Sequence, residues 1–588
     1  MFFPQEKTYN IDEIIISASK TPVSQSQLAR DVSVIDSNDI KSISANNIQD
    51  ILKFIGSVDL RTRGAEGVQG DAAIRGGSFE QTLILINGVK IADPQTGHHN
   101  LNIPISTDNI ERIEILKGQG SRIYGPNAFG GAINIITKKE KEGQILFAAL
   151  GGENNLYELA FNASYPLRIL GNNLSFSKKK SDGYRHNTDF DITSFSFGQS
   201  ISSGSNVTNL FFGYVDKKFG ANSFYSDRFP DQWERTITKI FTASSDIEIA
   251  GLILSPKLYW RRNDDDYRLD NTRPDWYRNL HKTYSYGAEL QSTINTFIGD
   301  VSISTEIANE EIKSTNLGSH QRTKGGVSGE LNFYPVEKLF ISTGFFIYNY
   351  SSIGWKFWPG IDAAYQLNND IKIIASIGKA FRIPTFTELY YVSPANVGNP
   401  NLKHEEVINY ELGFSYSQSS FDVSTNVFLK DGKNIIDWAR QFSQEPWKVE
   451  NVTNLKTAGV EIGFNLYPDK IFTAQPITKI GLQYTYLGSD RQTGSYQSKY
   501  LIDHLKHQLL ISIFHQLPFG LRQSWILRYE DRENFTSHFV TDTQVTTQLK
   551  NIRLFLRANN LFNTTYFDIP GIPMPGRWIS AGFEFKIN

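Results

Sequence analysis

Two glutamates lie on the polar face of segments whose opposite face is apolar. In residues 407–416 and 459–466, bulky apolar side chains alternate with small or polar ones, and Glu411 and Glu461 fall among the polar ones. Period-two alternation is typical of a β-strand with two different faces. A carboxylate removed from water is best stabilised by arginine, which can pair with it through two hydrogen bonds. The pattern therefore predicts that both carboxylates face an enclosed polar space, and no Ser-His-Asp triad or catalytic carboxylate pair stands out.

Other candidate ligands are acidic or imidazole side chains. The hard oxygen ligands that calcium prefers occur in clusters at Asp264, Asp265 and Asp266 and at the pair Asp189 and Asp191. The alternative interpretation of these clusters is a solvated acidic loop. The adjacent histidines His98 and His99 could also ligate a metal, but neighbours in sequence do not usually converge on one ion. We therefore favour the solvated acidic loop, keep calcium in the extracellular loops as the candidate metal, and assign no covalent cofactor.

Composition restricts the class of protein. The formal net charge of −2 and the pI near 6.6 give no basic face for nucleic acid, and we predict no nucleic-acid partner. Cysteine is absent and aromatic residues reach 13% of the chain, a bias that fits the aromatic girdles of a membrane barrel. No apolar stretch approaches the 18 residues of a transmembrane helix. A spanning protein without helices must be a closed barrel, since lipid cannot satisfy an open sheet edge.

The chain divides into two regions of different character. Residues 10–140 predict a compact α+β unit, with strands at 32–35 and 82–86, a capped helix beginning at Ser37 and a second helix over 47–54. From about residue 145, alternating segments separated by turn residues continue without a domain break. We predict an N-terminal segment over 1–20, a plug over 21–140 and a barrel over 141–588.

The length of the second region predicts the size of the barrel. About 440 residues at roughly 20 residues per strand and connection correspond to about 22 antiparallel strands, the large plugged class. A soluble sandwich with one wet face is the alternative that alternation alone leaves open. Three polar stretches are predicted to be extracellular loops: Ser223–Glu234, Arg261–Lys282 and Asp531–Thr543.

A glycine-punctuated run at residues 110–138 and several separated motifs resemble one family. Their positions follow the order expected for TonB-dependent outer-membrane transporters. They are Ile74-Arg75-Gly76, the run Leu83 to Gly88, residues 110–138, the run Phe381 to Tyr390 with Gly398 to Leu402, and the closing residues Asn559 to Asn563 and Met574 to Arg577. The resemblance implies a transporter rather than an enzyme. It also implies a location in a bacterial outer membrane, although the first residues show no basic and apolar signal peptide.

The resemblance implies a charged lock between plug and barrel. Two plug arginines, Arg75 and Arg112, match the family positions that meet two barrel glutamates, here Glu411 and Glu461. The alternation described above independently directs both glutamates into the lumen. The alternative is that all four are ordinary lumen charges in contact with water.

A short segment near the N-terminus resembles the TonB box. Pairing with an exposed strand edge of the inner-membrane partner requires a short, β-prone, tethered segment. The residues are Asp12, Glu13, Ile14, Ile15, Ile16, Ser17 and Ala18. The implied partner is TonB with its inner-membrane energising complex, and the alternative is a plain first strand of the plug.

The ligand is predicted to lie between the plug apices and the extracellular loops. The matching apices, 61–70 and 92–100, are polar and suit a large polar small molecule. The predicted ligand-binding residues are Arg61, Arg63, Gln69, Asp93, Gln95, His98, His99 and Asn100. The compact plug and short barrel are most similar to the vitamin B12 (cobalamin) transporters, with a ferric siderophore as the alternative ligand. A surface lipoprotein that caps the barrel is a further possible partner.

Two other classes of barrel protein remain for comparison. A passive porin would share the barrel and the outer-membrane lipid environment but would lack a folded plug and a TonB box. A structural or adhesive barrel would have no reason for an arginine–glutamate lock. Both features are predicted here, and they favour energised import.

Overall fold

The protein forms a closed antiparallel β-barrel of 22 strands. A computed structural model describes residues 15–16, 20–21, 23–24, 27–139, 142–226, 228–442, 444–491, 496–501 and 503–587. The barrel closes because Gln144–Gly152 pairs with both its neighbour Leu156–Leu167 and the last strand, Trp578–Ile587. The other strands are Leu170–Ser181, Phe190–Ser203, Asn206–Gly220, Trp233–Ile249, Leu252–Arg268, Arg278–Thr296, Gly299–Ser314, Gly318–Val336, Leu339–Tyr350, Gly354–Gln366, Ile371–Arg382, Glu405–Ser417, Phe421–Arg440, Trp447–Leu466, Ile477–Arg491, Leu505–Gln516, Leu521–Arg532, His538–Leu549 and Ile552–Asn559.

Alternation sorts the side chains between lipid and lumen. Along Glu405–Ser417, Leu412 is 53% exposed on the outer wall, whereas the next side chain inward, Glu411, is almost fully buried in the lumen. Outward-facing Phe357 and Ile307 are similarly exposed, as expected of a surface that contacts acyl chains. The predicted fold class and strand number are confirmed.

The three predicted extracellular loops are largely wrong. Arg261–Lys282 belongs mostly to the strands Leu252–Arg268 and Arg278–Thr296, and Asp531–Thr543 contains only a short connection between two strands. Ser223–Glu234 is a connection, but its last two residues begin a strand. The strands run beyond the apolar band, where both faces are polar. The hydrophobic alternation that identifies a strand is therefore missing there.

The plug fills the barrel and has its own mixed sheet. The strand order is Val32–Asp36, Ile110–Lys117, Gly131–Thr137, Thr82–Ile86 and Val89–Lys90, and a separate hairpin joins Val58–Thr62 to Gly70–Ile74. Its α-helices are Ser37–Ser42, Ile48–Leu52 and Ser121–Tyr124. A core of isoleucines and leucines packs the first two helices on the sheet, and Ser121–Tyr124 packs in a second cluster with Leu83, Leu85 and Leu116. Within the described residues, no helix has both the length and the apolar character needed to cross a membrane.

The predicted plug elements occur close to their expected positions. The helix Ile48–Leu52 is capped by Asn47, whose side chain accepts a hydrogen bond from the amide of Asp50. The helix predicted to start at Ser37 is capped one residue earlier, by Asp36, whose carboxylate accepts from two amides of the first turn. Asp and Ser are equally good N-caps, so the sequence alone could not decide whether Asp36 or Ser37 caps this helix.

Shorter elements complete the structure. The two-residue strand Ile15–Ile16 pairs with Val23–Ser24. Other short strands and the remaining α-helix lie in the connections of the barrel: Phe386–Tyr390, Asn396–Val397, Gln497–Ser498, Phe567–Ile569 and Ile572–Pro573. The 3₁₀ helices are Phe79–Gln81, Gly97–His99, Thr107–Asn109, Pro468–Lys470 and Pro518–Gly520.

The sheet of the plug depends on the absence of a side chain at Gly131. Its φ is +156°, and a Cβ there would press on the carbonyl oxygen of Leu116 and lie 2.7 Å from Cδ1 of Ile74. We expect Gly131→Ala to lower the free energy of plug unfolding by about 1–3 kcal/mol. Hydrogen exchange of the backbone amides in the strands Ile110–Lys117 and Gly131–Thr137, with the protein in detergent, measures this loss of stability.

A control glycine is available on the barrel wall. At Gly198 the nearest atom to an added Cβ is 3.9 Å away, so Gly198→Ala should leave exchange of the plug unchanged. Equal protection of the plug strands in the wild type and Gly131→Ala would contradict this account of the sheet.

Candidate functional site

Arg75 joins the plug to the barrel wall through two barrel glutamates. Its Nε donates to Oε1 of Glu461 at 2.8 Å and its Nη2 to Oε2 at 2.7 Å, so the pair is bidentate. Nη2 also donates to Glu411 at 2.9 Å and to Asp31 at 3.0 Å. Burial alone would lower the pKa of Arg75, but Glu411 and Glu461 outweigh it and raise that pKa well above its usual range. The guanidinium is therefore permanently charged among three carboxylates.

The local backbone presents Arg75 to the wall. Arg75 and Gly76 both have positive φ, +51° and +70°, at the end of the strand Gly70–Ile74. The amide of Arg75 donates to the carbonyl of Ser57, and Lys430 donates to the carbonyl of Arg75 at 3.1 Å. A left-handed residue other than glycine is uncommon, and here it lies in a contact between two domains.

The second cation of this cluster is a lysine and not the predicted arginine. Lys117 lies 3.4 Å from Asp31 and 3.7 Å from Glu461. Arg112 instead forms ion pairs with Glu111 and Glu114. Both cations belong to the strand Ile110–Lys117, and at about 3.3 Å per residue they are separated by roughly 16 Å. The structure thus brings together Arg75, Glu411 and Glu461 and places Arg112 at the other end of the strand.

A second ionic contact joins the plug to a different part of the wall. Arg122, in the glycine-punctuated run, donates to Glu330 at 2.8 Å and also pairs with Asp362. Asp362 accepts in addition from Nε of Arg30 at 2.7 Å. These residues are buried, and the sequence analysis missed them. The available signal was Arg122 itself, a long cation within a run of small residues and tight turns.

The N-terminal end of the plug is also attached to the wall. Nζ of Lys20 lies 2.7 Å from Glu289, and its backbone amide donates to Glu330 at 3.0 Å. Gln291 donates to the carbonyl of Lys20 at 2.6 Å. Of the predicted TonB-box residues, Ile15 and Ile16 form a short strand. Asp12, Glu13, Ile14, Ser17 and Ala18 lie outside the described residues.

On the extracellular side, one barrel strand holds the apex at residues 92–100. Its inward residues Arg261, Asn263 and Asp265 successively contact Asp93, His99 and Gln95. Arg261 donates in addition to the carbonyl of His99 at 2.9 Å. The predicted Arg261–Lys282 loop is thus a rigid support for the apex.

The residues predicted to bind ligand are mostly engaged with the protein. Within the apices, Arg63 pairs with Asp71, His98 contacts Asp71 at 2.7 Å and Asn100 accepts from the amide of Asp93. The others reach the wall or its connections: Arg61 donates to the carbonyls of Tyr500 and Asp503, and Gln69 to Tyr225.

A cavity of about 110 Å³ opens above the second apex. Its aromatic walls include Phe79, Tyr225, Tyr267, Tyr391, Trp438 and Tyr500. Its charged lining residues are four carboxylates, from Glu80, Glu234, Asp265 and Glu388, and one lysine, Lys499. Burial and the neighbouring Glu388 raise the pKa of Glu80 to about 8, so at neutral pH this carboxyl is mostly protonated and can donate a hydrogen bond. Of the predicted ligand residues, Gln95, His98 and His99 line this cavity.

The predicted calcium clusters are separated by the strand geometry. Asp264 and Asp266 point outward, towards Arg262 and Arg278 respectively, while Asp265 points into the lumen. Successive side chains of a strand face opposite sides, so these three carboxylates do not converge. Asp191 pairs with Lys178, and Asp189 is exposed at the preceding turn. Calcium in the loops stays a prediction.

Comparisons with known proteins identify the family. The sequence matches the family described as TonB dependent receptor-like, beta-barrel, over residues 139–561, and the TonB-dependent Receptor Plug Domain over residues 24–132. The chain therefore belongs to the TonB-dependent receptors of the bacterial outer membrane, whose work is transport rather than catalysis. Membership implies TonB and a small-molecule ligand as partners.

Curated relatives and solved structures differ in their ligands. A vitamin B12 transporter BtuB from Vibrio vulnificus (strain YJ016) is 25% identical over 77% of this chain and 75% of its own, and one from Photobacterium profundum is 23% identical over 94% and 92%. A ferric enterobactin receptor from Pseudomonas aeruginosa superposes with a TM-score of 0.78 at 16% identity, over 98% of this chain and 100% of its own. The copper transporter OprC superposes at 0.80 with 14% identity, over 95% and 98%. The solved structures support the fold alone.

The lock geometry predicts a specific energetic coupling. A double-mutant cycle with Arg75→Ala and Glu461→Ala should give a coupling energy of about 1–3 kcal/mol, because the two side chains share two hydrogen bonds. The same cycle with Arg112→Ala and Glu461→Ala should give less than about 0.5 kcal/mol. Urea unfolding of the plug in detergent, followed by hydrogen exchange, measures both. A larger coupling for Arg112 would contradict the arrangement described here.

Proposed function

We propose that the protein imports a corrinoid, such as vitamin B12, across the outer membrane by TonB-dependent transport. The proposal rests on one observation, the charge of the cavity above the second apex. Glu80 is mostly protonated and Glu388 is paired with Arg382, so Glu234 and Asp265 remain opposite a single lysine. This excess of carboxylate repels an anionic iron chelate and accepts an uncharged or cationic ligand. Cobalamins carry many neutral amide groups and meet that requirement.

The polar and aromatic lining supports the same ligand class. Faces of Tyr267 and Trp438 offer apolar contact to a flat macrocycle, and protonated Glu80 and Gln95 offer hydrogen bonds to side-chain amides. A volume of about 110 Å³ admits only a projecting group of so large a molecule. The remainder would lie against the extracellular connections. The curated relatives named as vitamin B12 transporters support this proposal at 22–25% identity.

Binding in detergent tests the ligand. Calorimetric titration of the full chain with cyanocobalamin should show one-to-one binding, and an anionic ferric tris-catecholate should give no heat. Trp438→Ala should weaken cyanocobalamin binding by about 1–3 kcal/mol through loss of ring contact. Trp355→Ala is the control, since Trp355 is 69% exposed on the same outward face of its strand as Phe357. Binding of the ferric chelate alone would contradict the corrinoid and favour a siderophore.

Transport is tested separately from binding. Deletion of residues 10–18 should abolish energised uptake of cyanocobalamin by cells while binding by the purified protein persists, because main-chain pairing with TonB is lost. The matched control replaces Ser17 by Thr, which preserves a β-prone backbone and should transport normally. Uptake that survives the deletion would contradict TonB coupling through this segment.

A further inference from the structure

A histidine of the plug and two carboxylates of the barrel meet at the edge of the extracellular cavity. Nε2 of His99 lies 3.4 Å from Oε1 of Glu234 and 4.0 Å from Oδ2 of Asp265. One candidate ligand atom from each residue lies within 4.8 Å of the other two. Among the described residues, this is the group of at least three metal-ligating side chains whose ligand atoms all lie within 4.8 Å of one another. Two ligands bound tetrahedrally at about 2.1 Å are about 3.4 Å apart, so the His99–Glu234 separation fits one shared ion.

The three side chains come from elements that fix their positions. His99 ends the 3₁₀ turn Gly97–His99 at the plug apex. Glu234 and Asp265 lie on the paired strands Trp233–Ile249 and Leu252–Arg268, where Asp265 is opposite Thr236 and both carboxylates face the lumen. All three residues are at least nine-tenths buried. Two buried carboxylates that both lie this near one imidazole repel each other unless one takes up a proton or a cation lies between them.

Each ligand has an outer partner that orients it. Asn263 contacts Nδ1 of His99 at 2.8 Å, Tyr225 donates to Glu234 at 2.5 Å and Gln95 donates to Asp265 at 2.9 Å. Outer partners of this kind are typical of metal sites because they set ring orientation and ligand basicity. They are not a feature of a chance acidic cluster.

The amide of Asn263 can support either proton arrangement of His99. As oriented, it donates to Nδ1, and its oxygen accepts from Thr238 at 2.6 Å. The threonine hydroxyl can both donate and accept, so the amide can turn over without loss of a partner. It then accepts from Nδ1–H, and the lone pair of Nε2 points at the two carboxylates.

Two unpartnered oxygens point to a missing ligand. Oδ1 of Asp265 and Oε1 of Gln95 are buried and have no hydrogen-bond partner in the structure. A buried acceptor without a partner costs about 1–3 kcal/mol. A cation beside Asp265 would satisfy its oxygen directly, and the unpartnered amide oxygen belongs to Gln95, whose Nε2 donates to the same carboxylate.

We propose that His99, Glu234 and Asp265 bind one divalent transition-metal ion, with Zn²⁺ as the probe ion. One imidazole nitrogen and two carboxylate oxygens form a donor set that suits such an ion. Calcium requires six to eight oxygen ligands and fits this set poorly. The ion joins the plug apex to two barrel strands and acts as a cross-link. Because it would offset the charges of Glu234 and Asp265 in the cavity, the cyanocobalamin titration is made on metal-free protein.

The test uses the full chain in detergent after removal of metal by a chelator. Calorimetric titration with ZnCl₂ should show one tight site per chain, and Ca²⁺ at equal concentration should not compete. His99→Asn and Asp265→Asn should each weaken Zn²⁺ binding by more than about 100-fold. Asn263→Ala, which removes only the outer partner of His99, should weaken it by about 10–100-fold.

A matched histidine provides the control. His186 also lies 2.6 Å from a carboxylate, that of Asp231, but its side chain is 71% exposed on the extracellular side. His186→Asn should leave the Zn²⁺ affinity unchanged. Absence of a tight site in the wild type, or equal loss in His186→Asn and His99→Asn, would overturn the proposal.

Diffraction at the zinc absorption edge from wild-type crystals tests the site without any variant, so the result does not depend on whether the variants fold. An anomalous peak among His99, Glu234 and Asp265 supports the site. A peak only at surface residues identifies adventitious binding and overturns it. Neither result depends on whether cyanocobalamin binds, so the cargo and the metal site are tested independently.

Discussion

The structure depends on the satisfaction of charge inside a closed barrel. Lipid requires an apolar outer wall, and the period of two along each strand then makes the inner wall polar. A domain that fills such a lumen cannot pack against it as one hydrophobic core packs on another. Where the plug covers a carboxylate of the wall, a plug cation can compensate it, because an uncompensated buried charge costs about 3–5 kcal/mol. Arg75, among Asp31, Glu411 and Glu461, shows this compensation most clearly.

The charged contacts also explain how the plug can be stable and yet separable. Its own sheet and helices enclose an apolar core that is largely independent of the wall. Many contacts with the wall are ionic or hydrogen-bonded, and water can replace them. Apolar contacts accompany them, such as those that cluster Ala29 with Phe340 and Phe129 with Val407. Exchange of a buried ion pair for hydrated charges costs far less than exposure of an apolar interface of the same area.

Most of the fold was predictable from the sequence. The alternation at residues 407–416 and 459–466 predicted both the barrel and the inward direction of Glu411 and Glu461. The resemblance to the family predicted that Arg75 pairs with these two glutamates. Arg112 could not be separated from Lys117, because both lie on one strand and only the packing of that strand decides which end faces the wall.

The cluster around His99 lay beyond sequence reasoning for a different reason. Glu234 and Asp265 belong to strand segments above the apolar band, where polar residues occupy both faces and alternation carries no signal. Their residue types suggested solvated loops, and the adjacency of Asp264, Asp265 and Asp266 suggested one acidic cluster. Only the pairing of two strands shows that Asp265 turns inward towards the plug apex.

The attachment of the N-terminal part of the plug has a mechanical consequence. Its contacts follow one another along the chain: Lys20 on Glu289 and Arg30 on Asp362 of the wall, and then Asp31 on Arg75 of the plug, which itself pairs with the wall. A force applied to the N-terminal residues from the periplasm loads these contacts in series, so each one opens before the next bears the load. Opening in series requires a smaller peak force than shearing all of them together. The N-terminal part of the plug can therefore be detached by a weak force that acts over a long distance.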